Sequence, residues 1–211
     1  MIDTVQCEAL VLAELRERNE DAFADFVVRH GATMRRVARA ITRDLQVAEE
    51  AVQETWLAVL KGLDRFQARS TLRTWVFRIL VNRARSIAMR EARTVPFSAL
   101  ETAEDESGLP PGRTSHAMAA GHWTEPASAW NRSPEQHLLT DEVRDAVHRA
   151  VAALPRLQRE VITLRDIEGW DAGEVCRVLG LTEGNQRVLL HRARAGLRRL
   201  LANVSEARQP W

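Results

Sequence analysis

Over residues 3–93, apolar side chains recur every three to four positions, which is the period of an α-helix with one buried face. This stretch holds two glycines and no proline, so little in it interrupts a helix. The alternation with period two that marks a β-strand is absent along the chain. The pattern predicts four helices, at about residues 5–18, 20–42, 46–61 and 71–92.

The helical pattern is lost between Thr94 and Ser133. This segment contains four prolines, three glycines and an acidic cluster at 101–106. Such a composition buries too little apolar surface to fold alone, and so long a loop is uncommon inside one domain. It is therefore predicted to be a flexible linker. Trp123 and Trp130 are unusual in a spacer and indicate either packing on a neighbouring domain or docking on a partner.

Helical spacing returns after the linker. Ser133 is suited to cap a helix and Pro134 to occupy its first position. An apolar stripe then runs to Leu154, and Pro155 restarts the chain in a second helix. The predicted fold is all-α, with two helical domains at 1–93 and 134–211 joined by the linker 94–133.

The end of the chain resembles a helix-turn-helix. Asp171 and Glu174 have the spacing of a helix-capping box, Gly180 lies where a tight turn needs a positive φ, and Thr182 is suited to cap the next helix. The helix that follows is predicted to run to about residue 201 and is rich in arginine. A short helix, a glycine turn and a basic second helix together favour DNA binding over a purely structural helix pair.

Charge is distributed unevenly, although the formal net charge is only +1. Residues 65–93 hold eight arginines and one acid, and residues 184–200 hold five arginines and no acid. Residues 44–56 hold four acids and no base. One basic run is ordinarily a solvated helix face, but two in separate segments favour contact with phosphates.

In a helix-turn-helix, the first turns of the second helix reach base edges and later turns run beside the backbone. Asn and Gln pair well with adenine, and Arg pairs well with guanine. The candidates are Asn185, Gln186 and Arg187 for bases, Arg192, Arg194 and Arg198 for phosphates, and His191 for either role or for plain surface. Core packing is the other interpretation of Val188, Leu189 and Leu190, and it is accepted for at least Leu190.

Several functional classes lack their sequence signals. Cys7 and Cys176 are far apart and no Cys/His cluster exists, so no metal or other cofactor is expected. There is no phosphate-binding glycine loop of the P-loop type, no secretory signal pattern, and no apolar run near the length of a membrane span. The expectation is a cytoplasmic protein without membrane insertion and without enzymatic activity.

Three segments resemble the sigma factors of bacterial RNA polymerase, in particular the small extracytoplasmic-function (ECF) group of the sigma-70 family. Residues 44–57 (DLQVAEEAVQETWL) look like the polymerase-binding helix. Residues 66–82 (FQARSTLRTWVFRILVN) look like the −10 melting loop and recognition helix. Residues 153–194, with EVCRVLGLTEG and HRAR, look like the −35-binding domain.

This resemblance implies that the first domain binds core RNA polymerase, through its β and β′ subunits, and opens the −10 element. The residues implied in polymerase binding are Glu49, Glu50, Gln53, Glu54, Trp56 and Leu57, and those implied at the −10 element are Phe66, Arg69, Ser70, Trp75, Arg78, Asn82 and Arg85. Asn82 is expected against a flipped-out base. By analogy, the acidic linker follows the polymerase's RNA path, the second domain binds −35 DNA, and an anti-sigma factor is left open as a further partner.

The sequence departs from the family at two places. The family usually has a glycine in the melting loop, where this chain has Phe66-Gln-Ala-Arg69. The usual Thr-Val-Lys-Ser-Arg-Leu of the recognition helix is replaced by Asn185-Gln-Arg-Val-Leu-Leu190.

Two rival functions remain open at this stage. A conventional helix-turn-helix regulator with a helical sensor domain explains the second domain but not the melting-loop segment. A helical enzyme acting on nucleic acid would need a spaced metal set or a nucleophile pair, and neither emerges from the sequence.

Overall fold

The computed structural model describes residues 4–93 and 145–206, and all regular structure in those two segments is helical. The first segment contains α1 (Thr4–Arg16), α2 (Glu20–Thr42), α3 (Leu45–Gly62) and α4 (Leu72–Arg93). The all-α prediction is confirmed, and these four helices match the predicted ones to within about two residues at each end. The linker and the predicted helix start at Ser133 and Pro134 lie outside the described residues, so the domain limits stay predictions.

Local capping explains where these helices begin. The Asn19 side chain accepts hydrogen bonds from the backbone N–H groups of Asp21 and Ala22, at 3.0 and 3.2 Å. Asp44 accepts from Gln46 and Val47 at 2.8 and 3.1 Å, so the first acid of the predicted polymerase-binding segment caps α3. Such caps satisfy N–H groups that have no partner within the helix. The apolar faces of α2, α3 and α4 then meet in one core.

The second segment contains α5 (residues 145–153), α6 (Arg156–Ile162, continued by one wider turn over Thr163–Ile167), α7 (Ala172–Leu179) and α8 (Glu183–Glu206). Asp171 caps α7 through the Glu174 N–H, at 2.9 Å. Gly180 has φ +70° at the turn, and Thr182 accepts from the Asn185 N–H at 3.3 Å. The predicted helix-turn-helix caps and turn are therefore confirmed.

The two helical segments pack directly on each other, which the sequence did not predict. We call residues 4–93 the N-terminal block and residues 145–206 the C-terminal block. Helix α4 lies against α7, and α2 lies against α6. Trp170, just before α7, is buried with its ring centroid 4.8 Å from that of Phe77, and the Arg73 guanidinium lies 3.7 Å over the Trp170 ring.

Two ion pairs cross the same boundary. Arg36 of α2 binds both carboxylate oxygens of Glu168, and Arg85 of α4 donates to Glu160 at 2.5 Å. Both carboxylates belong to the C-terminal block and both are almost fully buried. An aromatic contact and two charged pairs therefore hold the blocks together.

Candidate nucleic-acid interface

Helix α3 presents an exposed stripe of acidic, amide and aliphatic side chains. Glu49, Glu50, Gln53 and Leu57 are exposed and Glu54 is half-buried. Their spacing of three to four residues places them on one side of the helix. The structure thus brings together five of the six predicted polymerase-binding residues on one accessible face.

Trp56, the sixth of these residues, faces inward. Its ring meets Phe23 and Phe26 edge-on, with centroid distances of 5.7 and 5.9 Å. It is half-buried and packed against the core of the N-terminal block. In this conformation Trp56 supports α3 from beneath rather than lying on the accessible stripe.

The loop before α4 contains predicted −10 residues of which one side chain is buried and the others are at least partly exposed. Phe66 is buried against Trp75, with ring centroids 4.9 Å apart, and its carbonyl accepts a hydrogen bond from Arg16 at 2.6 Å. Its ring is therefore packed inside the protein in this conformation, and the −10 role expected for it stays a prediction. Arg69 is exposed and Ser70 is half-buried. Ala68 has φ +50°, the left-handed conformation that glycine adopts more readily.

The predicted −10 residues on helix α4 face two different directions. Arg78 and Asn82 are exposed, one turn apart, beside a half-buried Trp75. Arg85 turns toward the C-terminal block, where it donates to the Glu160 carboxylate at 2.5 Å and to the Leu179 carbonyl at 3.3 Å. Arg85 is thus occupied within the protein and does not complete the exposed face in this conformation.

Helix α8, the predicted recognition helix, exposes Asn185, Arg187, His191, Arg192 and Arg198. Gln186, by contrast, is 2% exposed, and its side-chain Nε2 has no hydrogen-bond partner among the described residues. A side chain buried in the helix packing does not reach a base edge, so the prediction for Gln186 is corrected.

Arg194 also departs from its predicted role. Its guanidinium makes two hydrogen bonds to Asp166, at 2.8 and 2.7 Å, and this partner raises the arginine pKa. Because the carboxylate offsets its charge, Arg194 is less suited than Arg192 or Arg198 to the phosphate contact predicted for all three. Leu190 is buried, as expected, and Leu189 is partly buried, whereas Val188 is exposed.

A half-buried histidine contacts two aromatic residues of the N-terminal block. The His30 ring is 4.5 Å from that of Phe26 and 6.3 Å from that of Phe77. Burial, followed by the positive charges of Arg73 and Arg29, lowers the His30 pKa to about 4. This histidine is therefore neutral at physiological pH.

Sequence reasoning missed the residues that join the blocks, namely Arg36, Arg73, Glu160, Glu168 and Trp170. Each lies on an ordinary amphipathic helix or loop, and its partner is distant in sequence. Within the described segments, no cluster of three or more His, Cys, Asp or Glu side chains is arranged to hold a metal ion. In the same segments, no helix has both the length and the apolar character needed to cross a membrane.

Comparison with known proteins assigns both blocks. The model of sigma-70 region 2 matches residues 26–94, and that of sigma-70 region 4 matches residues 144–197. The ECF RNA polymerase sigma-E factor of Escherichia coli (strain K12) is 26% identical over 192 residues, covering 90% of this chain and 92% of that protein. The RNA polymerase sigma-H factor of Pseudomonas aeruginosa is 29% identical over 158 residues, or 75% of each protein.

Two solved structures share the fold. One is CnrH in complex with the cytosolic domain of CnrY, with a TM-score of 0.59 and 24% identity, covering 93% of this chain and 97% of that one. The other is the sigma factor RpoE in complex with the anti-sigma factor NepR from Bartonella quintana, with a TM-score of 0.59 and 20% identity, covering 85% and 96%.

Proposed function

Because this chain belongs to the sigma-70 family and is an ECF sigma factor, we propose that it binds core RNA polymerase through α3, opens the −10 element with α4 and reads the −35 element with α8. One observation carries this assignment: three separate helices present accessible faces of the appropriate chemistry. Helix α3 offers acids with aliphatic side chains, α4 offers Arg78 with Asn82, and α8 offers arginines with Asn185.

Strand opening in this proposal uses binding energy alone. A base that leaves the stack exposes its Watson–Crick edge, at an unstacking cost of a few kcal/mol. Asn82 is exposed on α4 and carries both a donor and an acceptor for that edge. Arg78, one turn away, supplies positive charge for the displaced backbone. The protein accordingly acts as a binding factor and not as an enzyme, and it works in the cytoplasm with the polymerase.

The packed arrangement of the blocks must open on a promoter. The −10 and −35 elements are separated by about 25 base pairs, which is about 85 Å of B-form DNA. Helices in contact lie only about 8–10 Å apart, and α4 and α7 are in contact here. We therefore propose that the packed form is the free protein, and that polymerase binding separates the blocks and releases Arg85 toward DNA. An anti-sigma factor, present with the sigma factor in the Bartonella quintana complex, is a proposed further partner.

The test is transcription by core polymerase with this chain added, on a library of randomised promoters. Transcripts starting at a defined −35 and −10 pair are expected, and core polymerase alone should give none. Asn82→Ala should reduce opening on duplex DNA, measured by permanganate reactivity of −10 thymines. Val28→Ala, an exposed change on α2 outside the proposed binding residues, should leave that reactivity intact. Tight binding of the free protein to palindromic DNA without promoter-directed transcription would instead indicate a helix-turn-helix regulator.

A further inference from the structure

Among the side chains of α8 that the structure describes, Val188 is the one large apolar side chain that is exposed. Val188 is 48% exposed, and it lies one to two turns into α8 after the Thr182 cap. One turn before it stand Gly184 and Asn185, and one turn after it stand His191 and Arg192, all exposed. Val188 therefore lies in the middle of the surface that the first turns of α8 offer to a partner.

Core packing does not account for Val188, because other residues of α8 already fill the inward face of the helix. Gln186 and Leu190, two residues away in each direction, point inward and are buried, so the inward face of the helix is already occupied. A single exposed valine is common on protein surfaces. Here, however, it stands among polar and basic side chains at the position from which a helix-turn-helix reads bases.

The chemistry of the major groove points to one target. Hydrogen-bond donors and acceptors line the groove, and its apolar feature is the 5-methyl group of thymine. The valine side chain has two methyl groups and no polar atom, so it forms no hydrogen bond with a base edge and gains most from contact with that methyl group. We propose that Val188 reads a thymine of the −35 element through its 5-methyl group. This inference rests on the proposed function and adds a specificity-determining residue to it.

The test removes the methyl groups from each side of the contact in turn: the single 5-methyl of thymine, and the two γ-methyls of Val188. Each thymine of the preferred −35 element, on either strand, is replaced by deoxyuridine, which keeps every hydrogen-bonding group. Affinity of the holoenzyme for these promoters is measured with the unaltered chain and with Val188→Ala. At one position, deoxyuridine should weaken the unaltered holoenzyme about fourfold, as expected for burial of one methyl-sized group. Val188→Ala should show no dependence on that methyl group.

Val28→Ala is the matched control, because Val28 is 81% exposed on α2, away from α8, and the chemical change is identical. This variant should keep the fourfold preference for thymine. Equal deoxyuridine sensitivity with and without Val188 would overturn the inference, as would a preferred −35 element that contains no thymine. Either result leaves promoter binding intact, whereas a holoenzyme without promoter preference would contradict the proposed function itself.

Discussion

Reversing one charge of the Arg36–Glu168 pair should separate the two helical blocks. Glu168 is 5% exposed and accepts hydrogen bonds from Arg36, one of them at 2.8 Å, and from the Thr33 hydroxyl at 2.9 Å. Removing one partner of a fully buried pair costs about 3–5 kcal/mol. Arg36 is 26% exposed and is therefore partly hydrated already, so removing its charge should cost about 2–3 kcal/mol, and reversing the charge should cost at least as much.

A loss of this size shifts the ratio of packed to separated molecules about 30- to 150-fold. The measurement is small-angle X-ray scattering of the full chain. A packed protein of 211 residues has a radius of gyration of about 17 Å, and separation of the blocks raises it. Arg36→Glu and Glu168→Arg should each increase the radius, and the two changes together should restore it, because the pair is re-formed with its charges exchanged.

Arg83→Glu provides the control for this experiment. It makes the same charge change at an ion pair with Glu54, 3.4 Å long, that lies on the surface within the N-terminal block. Exposed pairs of this kind contribute little, and the radius should stay unchanged. If both single variants at Arg36 and Glu168 kept the original radius, or if the double exchange were as extended as the singles, the ion pair would not hold the blocks together.

Three further predictions concern single positions. Ala68→Gly should stabilise the N-terminal block by up to about 1 kcal/mol in urea unfolding. The left-handed backbone conformation costs alanine about 1–2 kcal/mol and glycine almost nothing. Part of this gain is offset because glycine loses more backbone entropy on folding. Gln186→Met should raise stability by about 1–2 kcal/mol, since it removes a buried amide donor without a partner among the described residues, and should leave −35 base preference unchanged. The His30 pKa is lowered to about 4 in the folded protein, against about 6.5 when unfolded, so the unfolded chain binds the proton first. Stability should therefore fall as pH decreases from 6.5 to 4, and His30→Gln should flatten that slope.

Each of these three substitutions has a matched control substitution at an exposed position. Ala24→Gly, on an exposed position of α2, should destabilise the protein by about 1 kcal/mol, and a gain there would contradict the argument for Ala68. Gln53→Met lies on the surface and should give no comparable gain in stability. His191→Gln changes an exposed histidine and should leave the pH slope unaltered. A slope equally flattened by both histidine changes would refute the role of His30.

The helices and their ends could be predicted from the sequence because local rules determine them. Asp171, Gly180 and Thr182 cap or turn the chain through atoms three or four residues away, and the apolar period of α2 is visible within its own residues. The same local rules do not show which way a side chain faces, and Gln186 was therefore wrongly predicted to lie on the DNA-facing surface. A polar residue at an inward position looks like a surface residue unless the register of the helix is known.

The contacts between blocks could not be predicted in this way. Arg85 and Glu160 are separated by 75 residues, and Arg36 and Glu168 by 132. Nothing in either local pattern links these partners, and a charged residue is ordinarily expected in water. Only the three-dimensional packing shows that two predicted domains share a buried boundary, and that this boundary occupies Arg85.

The contact between Phe77 and Trp170 also limits how freely the two halves of this protein can be exchanged with those of its relatives. A chimera that took its C-terminal half from another sigma factor would set an unmatched side chain against Phe77 and leave Arg36 and Arg85 facing residues that were not selected to receive them. Such a hybrid would lose its packed form even if each half folded well. Transplanting only the outward residues of α8 avoids this problem, because they lie apart from the boundary. New −35 specificities should therefore be engineered on that helix face, while Trp170, Glu160 and Glu168 are kept with the N-terminal half they fit.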